Sequence, residues 1–291
     1  MMTTFPVRLT IRVPLRVGLS YAALAIASVA STFPILWLLI TSFKSRRELF
    51  VVPPHLWPYN PTLENYRDLV SSDPQVISLP VMQAFANTIV VSTVATFVAL
   101  VVGTCAAYSF AHYRFPGARF IFFGVLITRM FPVIMLAIPL FRLIGQLGLR
   151  DTRLGLIIAY TALCLPFVIW MMHAFFSSIP KELAEAAQVD GCSPFAAFRR
   201  VILPLAAPGL AATAILTIIY PWNDLLLAVI LTSSPQSQTV SVTLAQFVTE
   251  FQVSWGPLTA ASMLFSLPIL IGSLFVQRYL VQGMTLGAIK G

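Results

Sequence analysis

Acidic side chains are scarce, with ten Asp and Glu against 18 Lys and Arg in 291 residues. Histidines number three and stand far apart, and the three cysteines (Cys105, Cys164 and Cys192) form no CxxC or Cys/His cluster. Neither a disulfide framework nor a metal site is therefore indicated. No HExxH, GxSxG or similar catalytic set is present, which removes the usual basis for a membrane-embedded enzyme. A GxxxxGK[ST] run is also missing, so the chain carries no phosphate-binding loop of its own. The net charge of +8 is scattered among apolar segments rather than gathered into a patch, and nucleic acid is not a partner on that pattern.

What is abundant is apolar surface. Hydrophobic residues make up 58% of the chain and charged residues 10%, and the mean hydropathy is +0.87. A water-soluble core cannot hide that much, so the lipid bilayer is the expected solvent. Six apolar runs, at about 17–40, 88–111, 120–141, 154–176, 205–231 and 257–276, each supply the ~20 residues that cross the hydrocarbon core. Lipid offers no partners to unpaired backbone, and the runs are too long for barrel strands, so the expected fold is all-α with six transmembrane helices.

The first run follows Arg8, Arg12 and Arg16 and contains Ala-Ser-Val-Ala-Ser, as a cleaved signal would. It continues unbroken to Ile40, however, well past the ~7–15 residues of a signal core, and reads as a retained span. Orientation follows the loop cations. With both termini inside, the cytoplasmic pieces hold ten (Arg8, Arg12, Arg16, Arg114, Arg119, Lys181, Arg199, Arg200, Arg278, Lys290) and the outer pieces seven (Lys44, Arg46, Arg47, Arg67, Arg142, Arg150, Arg153). The expectation is N-in and C-in, with Lys44, Arg46 and Arg47 discordant. The outer loop after the first span holds a proline-rich piece, Val52-Pro53-Pro54-His55-Leu56-Trp57-Pro58, then an amphipathic one, Leu63 to Val70. It reads as an interfacial lid or as a docking surface for an outside partner.

Within the second run, Ala95, Ala99, Gly103, Ala107 and Ala111 recur every fourth residue and lay small side chains on one helix face. Such a face admits a second helix closely, or lines a pore. Prolines at 34, 132, 139, 166, 221 and 268 fall inside spans, where each removes a backbone hydrogen bond and permits a kink. Arg129 lies ten residues past Arg119, ~15 Å into the membrane at helical rise. Holding it there costs ~2.5–3.5 kcal/mol, so it should face a cavity or a partner rather than lipid. Asp224 ends the run Tyr220-Pro221-Trp222-Asn223-Asp224; Trp222 and Asn223 are candidates to stack on and hydrogen-bond to a polyhydroxylated solute. For both charges an internal structural role is the alternative.

Between the fourth and fifth runs lies the longest polar-punctuated interval on the expected cytoplasmic side, 177–204. Pro180 suits a helix's first turn, with Ser178 or Ile179 as cap and Glu182 and Glu185 at its positive end. Gly191 suits a left-handed stop, Ser193-Pro194 a restart, and Pro204 a close. The small Ala184, Ala186 and Ala187 would let another surface approach. The result is a helix–turn–helix that either docks a partner or packs on its own spans.

Here the residues acquire a family likeness. Glu185-Ala186-Ala187-Gln188-Val189-Asp190-Gly191, then Phe198 and Leu203-Pro204-Leu205, resembles the EAA motif of ABC importer permeases. Pro61 to Tyr66, Ala86-Asn87-Thr88, Met130-Phe131-Pro132, Trp222-Asn223-Asp224 and the ending 277–291 resemble its maltose-type, carbohydrate-uptake branch. The resemblance implies a MetI-like permease in which the whole chain, 1–291, is one transmembrane domain in a bacterial inner membrane. It also implies a second related permease subunit, two cytosolic ATP-binding subunits and an extracytoplasmic solute-binding protein. ATP and Mg would be held by the ATPase, with no cofactor on this chain. On that resemblance Glu185, Ala186, Ala187, Asp190, Gly191, Phe198, Pro204 and Lys290 would couple to the ATPase, and Arg129, Trp222, Asn223 and Asp224 would belong to the solute pathway of a sugar importer. Arg129 departs from the neutral polar residue often found before Met-Phe-Pro in this branch. The alternative is a secondary transporter or channel for a polar solute, which calls for more intramembrane carboxylates than Asp224 alone.

Overall fold

The computed structural model describes residues 15–71, 79–249 and 253–288, with side chains from 17 to 274 within those ranges. Four of its helices are long and apolar enough to span a membrane unbroken: α1 (Leu15–Ser42), α3 (Val81–His112), α6 (Arg153–Ser178) and α13 (Trp255–Ala288). Two bent helix pairs bring the count to six if each is one span. α2 (Glu64–Val70) is the amphipathic piece expected after the first span.

The third run is not one straight helix. α4 (Ala118–Ile127) passes through a tight 3-10 turn, Thr128–Met130, and α5 (Val133–Gln146) leaves at 102° to it. Pro132 sits at the break with extended ψ, and Phe131 before it is extended as well. Proline disfavours a helical residue in front of it and cannot donate to the preceding turn, which accounts for a bend at this point. The prolines at 34, 139, 166, 221 and 268 all lie inside continuing helices.

The small-residue stripe of α3 is a packing face. Ala95, Ala99 and Ala107 are fully buried, and a Cβ on Gly103 would come within 2.7 Å of the Val168 Cγ1 on α6. Around this seam lie two apolar clusters, one at each end. The first gathers Tyr108, Met172, Phe176 and Ala206; the second gathers Val91, Ile144, Leu156, Tyr160 and Leu227.

The fifth run also differs from its expectation. α10 (Ala207–Asn223) stops at Asp224, and the apolar residues beyond it form a separate short helix, α11 (Leu226–Leu231), which packs on α5 and α6. Asp224 turns extended there and its Oδ2 accepts from the Leu227 backbone N–H at 2.9 Å. The carboxylate satisfies an orphan donor at the start of α11, so the break is a capping site rather than a loss of hydrophobicity. α12 (Val240–Gln246) then leads toward α13.

Polar side chains tie the connecting loops to these helices. The buried Asn65 donates from Nδ2 to the carbonyls of Ser42 and Lys44, both at 2.9 Å. Asn87 donates from Nδ2 to the carbonyls of Pro235 (3.0 Å) and Gln238 (2.8 Å), and Thr88 Oγ1 accepts from the Val240 N–H at 2.9 Å. Lys44 is 4% exposed; its Nζ donates to the His55 carbonyl and lies 4.7 Å over Trp37. Arg46 pairs with Asp68 at 3.3 Å. Two of the three discordant cations are thus occupied in holding the loop together.

Candidate functional site

The interval 177–204 forms the expected helix–turn–helix, with one cap reassigned. α6 runs through Ser178, whose Oγ donates back to the Phe175 carbonyl at 2.7 Å. Neither Ser178 nor Ile179 caps the next helix, and Pro180 lies ahead of it. α7 (Glu182–Val189) starts from Lys181, whose carbonyl accepts from the N–H groups of Ala184 and Glu185. Glu182 and Glu185 stand in its first turn, where the helix dipole favours carboxylates.

The far end closes as a Schellman turn. Gly191 is left-handed at φ +91°. Its N–H reaches the Gln188 carbonyl at 3.0 Å, and the Cys192 N–H reaches the Ala187 carbonyl at 2.9 Å. Only a residue without a Cβ adopts that φ at little cost. Ser193 then caps α8 (Pro194–Ala197), its Oγ accepting from the Ala196 N–H at 3.2 Å. Pro204 does not close this helix. The run continues as a π turn, Phe198–Ile202, and α9 (Leu203–Leu205), and the chain bends by 75° into α10 around Ala206. Pro204 cannot donate back along the helix, and its ring crowds the Arg200 carbonyl; the widened turn just before it relieves both.

The motif residues divide by direction. Ala184 (4% exposed), Ala187 (8%) and Phe198 (7%) are buried. Phe198 lies with its ring centroid 4.5 Å from Tyr108 and 6.2 Å from Phe176. Ala184 and Ala187 are therefore taken up in the chain's own packing. Glu182, Glu185, Ala186, Asp190 and Gly191 face outward, flanked by exposed apolar Val189 and Phe195. Lys290 lies outside the described residues.

A second grouping sits at the bend between α4 and α5. Arg129 is in the 3-10 turn with its guanidinium 5.2 Å over the Phe167 ring. A cation–π contact of this kind is worth about 0.5–2 kcal/mol, less than the ~2.5–3.5 kcal/mol cost of a mid-bilayer arginine. Arg129 opens on a cleft of about 560 Å³ walled by Phe131, Leu163, Pro166 and Tyr220, with Thr128 beside it. Tyr220 and Phe167 were not singled out from sequence; Tyr220 heads the run ending in Asp224, and its position there was the available signal.

The three residues after Pro221 do not join that cleft. Trp222 is 4% exposed. Its indole stacks on Phe265 at 5.3 Å, meets Phe85 edge-on, and donates from Nε1 to the Phe265 carbonyl at 3.3 Å. Stacking on a solute is replaced by stacking within the chain. Asp224 is likewise occupied, accepting from the Tyr160 hydroxyl and the Leu227 N–H, each at 2.9 Å. Asn223 stays exposed, with Nδ2 on the Ile219 carbonyl at 3.0 Å.

At the opposite end from α7, Asp151 gathers the loop after α11. Its Oδ1 accepts from the backbone N–H groups of Ser233 (2.8 Å) and Ser234 (2.9 Å) and from the Ser237 hydroxyl. Burial pushes this carboxyl upward, but the hydrogen bonds from Ser237, Ser233 and Ser234 outweigh it and hold the group well below the usual carboxylate range.

Residues 99–286 match the model of a family described as the binding-protein-dependent transport system inner membrane component. The chain is 40% identical over 260 residues to a trehalose transport system permease protein of Mycobacterium tuberculosis, covering 89% of this chain and 92% of the relative. A diacetylchitobiose uptake system permease protein of Streptomyces coelicolor is 34% identical over 90% of this chain and 93% of its own. Among solved structures, a chain of a bacterial ABC transporter involved in import of the acidic polysaccharide alginate superposes with a TM-score of 0.78 at 25% identity, over 95% of this chain and 99% of that one. The MetNI methionine ABC transporter in an inward-facing conformation shares the fold, with a TM-score of 0.59 at 21% identity over 72% of this chain and 97% of its own.

Proposed function

Because the chain belongs to the family of binding-protein-dependent transport system inner membrane components, we propose that it forms half of the path by which an ATP-driven importer carries a sugar or oligosaccharide inward. As a member of that family it is an inner-membrane transport subunit of the ABC importer kind and not an enzyme. The sugar follows from the relatives named for trehalose and diacetylchitobiose uptake. The other half would come from a second, related permease. Two cytosolic subunits would hold ATP and Mg, and an extracytoplasmic binding protein would deliver the solute. In this reading the whole chain is one permease domain with both termini inside.

The observation that carries the coupling role is the two-faced construction of the EAA unit. Phe198 fastens it to α3 and α6, Ala184 shares that apolar cluster and Ala187 is buried, while Glu185, Ala186, Asp190 and Gly191 point away. A rigid unit anchored on one side and open on the other can pass a displacement from a partner into the spans. Closure of the ATPase pair would draw the coupling units together and rock the spans from inward- to outward-open. Pro204 serves through the π turn that sets the unit's angle, and Lys290 is retained as a tail contact. Arg129 and Asn223 remain for the solute pathway; Trp222 and Asp224 act there as supports.

Reconstituted importer in proteoliposomes tests this. Glu185→Lys and Gly191→Pro should leave the complex assembled but abolish ATP-coupled uptake of labelled sugars. Undiminished uptake by the assembled variants would remove the coupling role.

A further inference from the structure

The cleft beside Arg129 holds a guanidinium, and none of its lining side chains is a carboxylate. None of the helices that wall it, α4, α5, α6 and α10, carries an Asp or Glu. Among the described residues the ion pair within 4.0 Å is Arg46–Asp68, elsewhere in the fold. Thr128, the cleft's other small polar group, donates its hydroxyl to the Val125 carbonyl at 2.6 Å. Asp224, the nearest acid in sequence to Tyr220, is engaged by Tyr160 and Leu227.

The second observation is independent of the charge. The Tyr220 hydroxyl is buried without a hydrogen-bond partner, and Tyr220 lines the same cleft as Arg129. A buried phenol without an acceptor is costly, and so is an intramembrane guanidinium without a counter-charge. The two deficits share one space. Its remaining walls, Phe131, Leu163 and Pro166 among them, offer apolar and aromatic surface that suits the C–H faces of a sugar ring. At about 560 Å³ the cleft lies within the ~300–1,000 Å³ of ligand sites.

We propose that Arg129 and Tyr220 form an anion subsite, and that the solute is a saccharide bearing a carboxylate or another fixed negative group. This rests on the importer reading above and narrows its substrate class. A carboxylate accepts two parallel bonds from one guanidinium, and the phenol supplies a further donor. A neutral sugar would leave the arginine unmatched at the middle of the bilayer.

The test uses the complete importer in proteoliposomes with ATP inside, offered matched labelled pairs: maltose and trehalose, each beside its derivative oxidised at C6 to the uronate. The expected result is that the acidic member of a pair enters about ten-fold faster than the neutral one. Arg129→Gln should erase that preference, Arg129→Lys should keep its direction but weaken it because an ammonium lacks the bidentate fork, and Tyr220→Phe should lower uronate uptake roughly three-fold. Copurified ATPase reports assembly of each variant; if Arg129→Gln does not assemble, the Lys and Phe variants decide. Preference for the neutral member, or a preference that survives Arg129→Gln, would overturn the subsite. Equal loss of both members in an assembled Arg129→Gln complex would instead make Arg129 an ion-pair partner of the second permease and also overturn it. Transport of neither member by an importer that hydrolyses ATP would count against the sugar-importer reading itself.

Discussion

The rings of Tyr108 and Phe198 lie 4.5 Å apart, 40° from coplanar, one on the spanning α3 and the other on the helix–turn–helix of 177–204. Phe176 meets Tyr108 edge-on at 5.6 Å and so completes a three-ring joint between α3, α6 and the segment that follows α8. Under the proposed coupling role, a displacement of the exposed face of α7 reaches α3 through this joint. Replacing Phe198 by Ala removes the ring at the centre of it, at a cost of about 3 kcal/mol on the scale of buried Phe truncations. The expected outcome is a complex that retains ATPase activity but transports fewer solute molecules per ATP, measured as the ratio of uptake to phosphate release. Phe198→Leu, which keeps apolar volume, should recover much of that ratio; a structural contribution to folding alone would lower both rates together.

At Gly103, α3 packs directly against Val168 of α6. A Leu there would drive its Cβ into the Val168 side chain, 2.7 Å from Cγ1 and 2.9 Å from Cβ. Overpacking of this kind costs about 1–3 kcal/mol, so Gly103→Leu should lower the thermal midpoint of the detergent-solubilised subunit by several degrees. The pair Gly103→Ala with Val168→Ala should lose much less, because it removes the clash with the Val168 Cγ1 and leaves the seam only one methyl group smaller.

Asp151 fastens the loop that carries Ser233, Ser234 and Ser237. Its carboxyl is held below the ordinary range, so the contribution is fully present above the unfolded-state pKa, ~4, and fades as pH falls below it. At neutral pH, hydrogen–deuterium exchange should show slow amides at Ser233 and Ser234. Asp151→Ala should release both, and acidification below the carboxylate range should release them in the native protein but change little in the variant.

The elements most legible in the sequence were those fixed by composition and by backbone chemistry. Hydropathy located α1, α3, α6 and α13, and the four-residue spacing of Ala95, Ala99, Gly103 and Ala107 marked a face that is buried, with Ala111 half-buried at its end. Gly191 and Ser193-Pro194 announced their turns because few residues take a positive φ or cap a helix. Geometry inside apolar runs was not legible. Pro132 and Pro166 look alike in sequence, yet one stands at a 102° bend and the other inside a continuous helix. Hydropathy likewise carried the fifth run across Asp224, where capping ends one helix and starts another. Trp222 was legible as an aromatic but not as a core residue, since an indole serves equally to stack on a ligand or on Phe265.

On α7, Ala186 is exposed while Ala184, two residues away, is buried in the cluster with Tyr108 and Phe176, and the proposed coupling puts the ATPase against the Ala186 side. The direct measurement is photocrosslinking in the assembled, ATP-hydrolysing importer, with a benzophenone amino acid placed singly at Ala186, Phe195 or Trp170. Adducts with the cytosolic ATPase subunit should form from Ala186 and Phe195, and from Trp170, exposed on the membrane-spanning α6, only lipid or permease adducts. An active importer that gives no ATPase adduct from Ala186 or Phe195 would contradict docking of the ATPase on α7.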